Sequence, residues 1–488
     1  MKKLYLIGIL VLTGFLYVSS QDIELEKTYD LSKDAKKGFL GDVRYNDQNE
    51  SYLLSYCTKS KKTFAKFENY TFDKDFNFVN MTQEELEFDK VKSKYAWWRY
   101  KGEDFSTESI YADDNASGTL ILRKVRRDYN WSWLWGMYNK VVLHKLEKVK
   151  LRSEDGDKYY YYSSHADDET NELYVLCGKK DKTDRDTYKK EFHILKINFQ
   201  LDVVKDYQVS FTKPVDFKFF GSITDEGHIK QLFIVFNSGS EYTYVRVDSK
   251  LEQKDKIDFT ANPGWKIDDF IPPSAEEDNI YIYGPSADKY YTLVKVDNGK
   301  LGYVSDVNLD EFKQKLKCPP SQRRTPEYRG KKFVLDASLL TKDDELVITG
   351  QNWSTKYNVV EDKLRDVYTD VLTFYFDANG KLKAQYGVDP KKNNEEVKLF
   401  GNDQDIIEGE NNLYWILYES PKFRSDYPSI MKINKKTFEI NDPVDFGKET
   451  YFLEPSFPML KVKDENKVVF FGANKKGNTI WFCKVRFD

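Results

Sequence analysis

The sequence predicts an all-β protein in which one unit of strands and turns is repeated along the chain. Three observations support this fold class. An acidic turn followed at once by an apolar strand recurs throughout, hairpin turns that start with Asp or Asn follow most of these strands, and long runs with helical periodicity are lacking. Only TQEELEF and LDEFKQKL have the spacing of a short helix.

The first element of the unit is an apolar strand that follows a turn rich in Asp, Glu and Asn. Such side chains favour tight turns because they hydrogen-bond to nearby backbone groups, and the β-branched and aromatic residues that follow favour a pleated strand. Successive strands start 48 to 67 residues apart. The eight strands begin near Tyr52, Thr119, Leu173, Leu232, Ile280, Leu346, Leu413 and Val468.

The second element is a hairpin turn further along each unit. The segments from Asp297 to Gly299 and from Asp377 to Gly380 are strong hairpin signals, because Gly and Asn adopt positive φ at little cost. The corresponding place in other units is occupied by Asp73, Asn198, Asp248 and Asn434.

A repeat of this size, made only of strands and hairpins, indicates a single β-propeller in which each unit is one four-stranded blade. The last unit stops one strand short at the C-terminus, and DIELEKTYDL from Asp22 has the alternating apolar positions of a strand. We expect this N-terminal strand to complete the last blade and close the ring. The predicted count is eight blades, with seven as the alternative because the second unit is irregular. A two-domain β-sandwich is the main rival.

The chain resembles the β-propeller class over nearly all of its mature length, at the level of architecture. It has no Gly-His to Trp-Asp repeats, no Gly-Gly doublets of the kelch type and no S-x-D-x-G-x-T-W boxes. The resemblance implies a rigid ring whose loops provide specificity. It implies no particular family, substrate or cofactor.

Residues 1–20 have the three-part pattern of a bacterial secretory signal peptide. A lysine pair precedes an apolar run from Leu4 to Val18, and small residues then suit cleavage before Gln21. The run of 15 residues is shorter than the roughly 20 that a membrane span needs, and an uncleaved anchor is the alternative. We therefore expect residues 21–488 to form an exported propeller domain that does not span a membrane. It would be periplasmic or associated with the outer membrane, with secretion as the alternative.

The composition and motifs favour a noncatalytic protein. With 76 basic and 80 acidic residues, the chain has no basic excess that would indicate a nucleic-acid partner. The four cysteines lack zinc or redox spacing, so we expect isolated buried thiols and no metal or cofactor. There is no G-x-S-x-G nucleophile motif, and the four histidines lie in separate regions. Among them, His165 is predicted to end an innermost strand near a central pocket.

The second unit, about residues 85–152, is irregular and contains five of the nine tryptophans. As a strand, DYNWSWLWGMYNK would place its three tryptophans on one face; as a helix, Trp131, Trp135 and Tyr138 would share a stripe with Leu134. This aromatic face either packs inside the fold or forms an exposed binding platform. The candidate binding residues are Trp97, Trp98, Trp131, Trp133, Trp135 and Tyr138.

A basic segment, CPPSQRRTPEYRGKK, connects the fifth and sixth units. Arg323, Arg324 and Arg329 could dock an acidic surface or a phosphate. The alternative is a long solvated loop pinned by its two prolines.

These observations lead to two hypotheses for function. The first is a noncatalytic scaffold that binds another envelope protein, within an outer-membrane assembly or secretion complex. The second is a carbohydrate-binding or carbohydrate-active propeller that uses tryptophan stacking and a central pocket.

Overall fold

The computed structural model describes residues 21–487 except 47, 61–63, 88–104, 116, 133–136, 168, 181–188, 226, 274–277, 287–288, 359–362, 389–403, 419–427, 446–450, 454–458, 463–466 and 475. Within this part of the chain, eight separate β-sheets follow one another in sequence order. We number them blades 1 to 8. None of the described helices is both long enough and apolar enough to cross a membrane.

Blades 1 to 4 are antiparallel meanders, in which each strand pairs with the next one along the chain. Blade 1 contains β2 (Phe39–Asn46), β3 (Ser51–Ser60), β4 (Phe64–Phe72) and β5 (Phe78–Glu87). Blade 2 contains β6 (Phe105–Asp114), β7 (Leu120–Ser132) and β8 (Met137–Lys150). Blade 3 contains β9 (Lys158–Asp167), β10 (Glu172–Lys180), β11 (Glu191–Ile197) and β12 (Val203–Ser210). Blade 4 contains β13 (Asp216–Asp225), β14 (His228–Ser238), β15 (Glu241–Asp248) and β16 (Gln253–Thr260).

Blades 5 to 8 repeat this order with small additions. Blade 5 contains β17 (Asp269–Ile271), β18 (Asn279–Ser286), β19 (Tyr290–Asp297) and β20 (Lys300–Asn308). Helix α1 (Leu309–Gln314) leads to blade 6, which contains β21 (Leu316–Lys317), β22 (Lys332–Leu340), β23 (Leu346–Asn358), β24 (Lys363–Phe376) and β25 (Leu382–Val388). Blade 7 contains β26 (Gln404–Glu408), β27 (Asn412–Tyr418), β28 (Pro428–Asn434) and β29 (Val444–Asp445). Blade 8 contains β30 (Tyr451–Leu453), β31 (Met459–Lys461), β32 (Lys467–Asn474), β33 (Thr479–Phe487) and β1 (Gln21–Asp30).

The ring is closed by the N-terminal strand, as the sequence predicts. β1 pairs antiparallel with β33, from Gln21 opposite Phe487 to Asp30 opposite Thr479. In the order across each sheet, every one of the eight predicted apolar strands is second from an edge of its blade, so the eight-blade prediction is confirmed. Of the two short helix candidates, LDEFKQKL starts with α1, whereas the described part of TQEELEF belongs to β5.

Hydrophobic clusters hold neighbouring blades together. Blade 8 packs on blade 1, for example, where the rings of Phe482 and Phe76 stack with centroids 4.8 Å apart. Six further clusters join blades 2 to 8 in succession. At the junction of blades 1 and 2, the described residues form only a small cluster around Cys57 and Phe67, and all of its members belong to blade 1.

The predicted Asp and Asn hairpin turns join the third and fourth strands of their blades. In blade 4, the Asp248 carboxylate accepts hydrogen bonds from the backbone N–H groups of Lys250 and Glu252, both at 2.9 Å. Leu251 has φ of 60° and is only 3% exposed. The turn therefore points a hydrophobic side chain into the cluster shared with blade 3. Phe76 and Leu201 occupy the same place in blades 1 and 3, with positive φ and buried side chains.

Candidate functional site

Blade 2 differs from the other blades in the number of its strands. Its described residues form three strands in the order β6, β7, β8, so β8 lies at the edge of the sheet. In blades 3, 4 and 5 the corresponding third strand lies between the second strand and a fourth, outer strand. β8 is therefore a third strand in the position of an edge strand.

The β7–β8 hairpin is long, with strands of the same lengths as β23 and β24 of blade 6. Its strands have 13 and 14 residues, whereas the second and third strands of blade 4 have 11 and 8. Near the tip, Trp131 lies opposite Tyr138 in the register. The backbone on both sides of the tip is a strand, which excludes the helical alternative for Asp128–Ser132 and Met137–Lys140.

The side chains of the predicted aromatic surface lie outside the described residues. Trp97, Trp98, Trp133 and Trp135 fall in the undescribed segments, and of Trp131 and Tyr138 only the backbone is described. Whether these rings form a platform or a buried plug stays a prediction.

The described part of β8 is exposed along most of its length. From Leu143 to Lys148 every side chain is exposed, and Leu143 and Leu146 each keep 48% of their surface accessible. The third strand of blade 4 is the opposite, because Tyr244, Val245 and Val247 are at most 1% exposed. Apart from Leu143 and Leu146, the exposed large hydrophobic residues of the described chain lie on fourth, outer strands such as β5, β12 and β20, so β8 has the exposure of an outer strand.

The charges of blade 2 divide into paired and unpaired sets. On the inner strands, Arg123 pairs with Asp113 at 3.1 Å and Arg126 pairs with Asp128 at 2.8 Å. On β8, the imidazole of His144 lies 2.7 Å from the same Asp128. The lysines Lys145, Lys148 and Lys150 form no ion pair with any residue in the described part of the chain.

Several charged residues on or beside the outer strands of the regular blades are bound within the ring. Asp206 on β12 accepts a hydrogen bond from His193 at 2.9 Å, and Asp306 on β20 accepts one from Thr292 at 2.5 Å. In blade 4, Arg246 is 4% exposed. Its guanidinium donates hydrogen bonds to Asp255 of β16 and to Asp278 of blade 5, the latter at 2.5 and 2.7 Å. Asp206, Asp306 and Arg246 are thus bound within the ring, unlike the three lysines of β8.

A cavity of about 350 Å³ lies on blade 1, lined by Asp34, Thr58, Lys66, Phe67, Glu68, Gln83, Glu84 and Glu85. Three of its carboxylates, those of Glu68, Glu84 and Glu85, are bound to other residues of this region. Glu68 accepts hydrogen bonds from Ser32 and Tyr70, both at 2.6 Å, and Glu85 pairs with Lys66 at 2.7 Å. Burial and the bond to Glu68 raise the pKa of the Tyr70 hydroxyl. This arrangement stabilises the blade.

The predicted basic segment is folded onto blade 6. Arg324 pairs with Asp370 at 2.9 Å and Arg329 with Glu327 at 3.2 Å, while Arg323 is exposed. Between them, Tyr328 is 3% exposed and its N–H donates to Gln385 at 3.1 Å. The segment is therefore held at a few buried residues, among them Pro319 and Tyr328, while all three arginines are exposed and two of them have acidic neighbours.

His165 lies on β9, the first strand of blade 3, and bridges to blade 4. Its Nε2 is 2.9 Å from the Phe220 carbonyl oxygen and its Nδ1 is 3.2 Å from the Ser222 hydroxyl. Burial lowers the pKa of the imidazole. Both ring nitrogens have partners in the next blade, which is the geometry of a structural contact between blades.

Acidic residues in turns also connect blades. The Asp167 carboxylate accepts from the N–H of Ile229 in blade 4, and the Asp268 carboxylate accepts from the N–H of Phe333 in blade 6, both at 2.9 Å. Burial would raise the pKa of Asp167, but the donated hydrogen bonds, led by that of Ile229, hold it below its usual value. At Asp268 burial prevails and raises the pKa to about 7.

The cysteines and candidate metal ligands suggest no further chemistry. All four cysteines are free thiols; Cys57, Cys177 and Cys483 are buried, and Cys318 is half-buried. Within the described ranges, no group of three His, Cys, Asp or Glu residues lies close enough together to hold a metal ion.

The order of the eight sheets and the closing strand define this chain as a β-propeller. No protein-family model matches the sequence, and no curated protein matches it. The chain is similar to the crystal structure of a protein from Lactobacillus plantarum, at 11% identity over 81% of this chain and 95% of that chain, with a TM-score of 0.28. It is also similar to a mutant of Synechocystis apocarotenoid oxygenase, at 9% identity over 76% and 87% of the two chains and a TM-score of 0.30. These similarities assign no function, and the fold assignment depends on the sheets themselves.

The lysine-rich edge of β8 was not among the sequence predictions. Lysines recur in KVVLHKLEKVK, and the turn that follows this strand starts with Ser153, whereas the turns after other third strands start with Asp or Asn.

Proposed function

We propose that this chain is an exported, noncatalytic β-propeller that serves as a protein-binding scaffold in a bacterial envelope complex, and that blade 2 is its docking surface. The observation that carries the proposal is the exposure of β8, a third strand that has no outer neighbour among the described residues. The other blades form a regular ring that holds this surface rigid.

Export is supported by the signal-peptide pattern of residues 1–20. A scaffold role is supported by the polar groups of the described residues, since His165, Asp167 and Glu68 all form contacts within or between blades. Groups engaged in this way hold the fold together and are poorly placed to act on a substrate.

The test is a pull-down from gently solubilised envelopes of the source organism, with the tagged mature protein and two double variants. Leu143→Ser/Leu146→Ser changes the exposed side chains of β8. Val203→Ser/Val204→Ser changes similarly exposed side chains of β12 (42% and 52%) and is the matched control. We expect a defined protein to be recovered with wild type and the control and lost with the β8 variant. Equal recovery with all three would exclude these β8 side chains as the docking surface.

The tryptophans are tested in the same experiment by Trp131→Ala/Trp133→Ala/Trp135→Ala. If this variant folds and loses the same protein, the hairpin tip belongs to the docking surface. If no variant recovers a protein and wild type instead binds immobilised glycans, the scaffold proposal is wrong and the carbohydrate hypothesis replaces it.

A further inference from the structure

We propose that the outer edge of β8 binds an acidic, extended segment of another protein, which adds to blade 2 as its fourth strand. This inference rests on the proposed function and states how blade 2 would recognise its partner.

The backbone of β8 provides the first requirement, a continuous edge. An edge strand points every second N–H and C=O pair away from its sheet, and an extended peptide can pair with these groups. The β7–β8 register is uninterrupted from Lys140 to Lys145, opposite Asn130 to Val125. Six residues span about 20 Å, enough for a short added strand.

The position of this edge in the ring provides the second argument. Blades 3, 4 and 5 each cover their third strand with a fourth strand of 8 or 9 residues. In blade 8 the missing strand comes from a distant part of the chain, because β1 pairs with β33. The fold therefore already completes one blade with a strand that is not contiguous in sequence, and at blade 2 the same place is open within the described residues.

The positive charge of the β8 lysines favours an added strand that is acidic. Lys145, Lys148 and Lys150 flank Glu147 and have no ion-pair partner in the described ranges. Like charges directly opposite each other on neighbouring strands are destabilising, and opposite charges are stabilising. A second copy of β8 is therefore disfavoured as the added strand, and a strand with Glu or Asp at alternate positions is favoured. The exposed side chains of Leu143 and Leu146 would contact its apolar residues.

The experiment uses the mature protein and two synthetic nonapeptides of alternating residues, one of Glu and Val and one of Lys and Val. The protein variant is Lys145→Glu/Lys148→Glu/Lys150→Glu. Its matched control is Lys205→Glu/Lys250→Glu/Lys300→Glu, which reverses three exposed lysines at the outer edges of blades 3, 4 and 5. Binding is measured by fluorescence anisotropy, and the site by backbone hydrogen exchange.

We expect the Glu/Val peptide to bind wild type and the control, with slower exchange confined to Lys140–Lys150. Affinity should fall at least tenfold for the β8 variant and decrease with added salt, because the attraction is between exposed charges. The Lys/Val peptide should bind at least tenfold more weakly than the Glu/Val peptide.

Three results would overturn the inference. One is equal affinity of the Glu/Val peptide for the β8 variant and wild type. Another is slower hydrogen exchange of amides outside β8 when the Glu/Val peptide is bound. The third is full protection of the β8 amides in the free protein, which would mean that another segment of this chain or a second copy already covers the edge. If Lys145→Glu/Lys148→Glu/Lys150→Glu still recovers the envelope partner in the pull-down while Leu143→Ser/Leu146→Ser loses it, the proposed function stands and the addition of an acidic strand is wrong.

Discussion

Blade 4 and blade 2 contain the same kind of second strand, but they differ in whether a fourth strand pairs with the third one in the described part of the chain. In blade 4, β15 is covered by β16, and Arg246 of β15 is bound to carboxylates of β16 and of blade 5. In blade 2, β8 is at the edge, and its lysines have no acidic partner in the described residues. In this comparison blade 4 is held from its outer side as well as by its neighbour, and among the described residues blade 2 has no strand in that outer place.

The largest expected difference concerns hydrophobic burial. Phe236 of blade 4 is 0% exposed, and its ring lies 4.5 Å from that of Phe192. We expect Phe236→Ala to lower the free energy of unfolding by about 3–5 kcal/mol, because it removes a buried ring and leaves a cavity. Leu143→Ala on β8 should change it by less than about 0.5 kcal/mol. Urea unfolding of both variants measures these free energies. A decrease of several kcal/mol for Leu143→Ala would mean that β8 is covered.

The second difference concerns pH. The regular junction between blades 5 and 6 contains Asp268, whose folded pKa of about 7 lies above its unfolded value. Between the two pKa values the unfolded chain loses this proton while the folded chain keeps it, so the free energy of unfolding falls as pH rises from about 4 to about 7. Asp268→Asn keeps an oxygen that can accept from Phe333. It should therefore stabilise the protein at pH 8 by about 1–3 kcal/mol, allowing for partial exposure, and have little effect at pH 4.

The control for this pH effect is Asp167→Asn at the junction of blades 3 and 4. The pKa of Asp167 is lowered on folding, so its contribution is present above the unfolded pKa and lost as pH falls through the folded pKa. This variant should be less stable than wild type at pH 7, with a smaller difference at pH 3. The same sign of change at pH 7–8 for both variants would contradict the assignment of the two environments.

The smallest of these effects concerns the turn after the third strand of blade 4. Asp248→Ala removes the acceptor of two backbone N–H groups in the β15–β16 hairpin. We expect a loss of about 1–2 kcal/mol, because each such hydrogen bond contributes about 1 kcal/mol. Asp248→Asn retains an acceptor oxygen and should recover most of this stability. Thermal unfolding of both variants and wild type measures the difference. If the two variants melt together, the acceptor oxygen contributes nothing measurable.

The regular part of the fold was predictable because its signals are local. The Asp and Asn turns and the apolar second strands appear in short stretches of sequence, and the spacing of those strands gave the number of blades. Ring closure was predictable because one strand was missing at one terminus and present at the other.

The polar contacts between neighbouring blades could not be predicted, because they are not local in sequence. The pairing of Arg246 with Asp278, and of Asp268 with the backbone of Phe333, depends on how adjacent blades are placed in the ring. The exposure of β8 was hidden for another reason, since a lysine-rich strand has the same sequence pattern whether its outer edge is open or covered. Trp131 lies in the same blade as β8, although its side chain is outside the described residues.

The most direct test of the central claim is hydrogen exchange of the free mature protein, resolved to single amides, with β8 compared to β15. An open edge predicts alternation in Lys140–Lys145, with every second amide at least a hundredfold faster than its neighbours, while the amides of β15 exchange slowly throughout. Uniformly slow exchange along β8, equal to that of β15, would show that a fourth strand already covers this edge and would contradict the account.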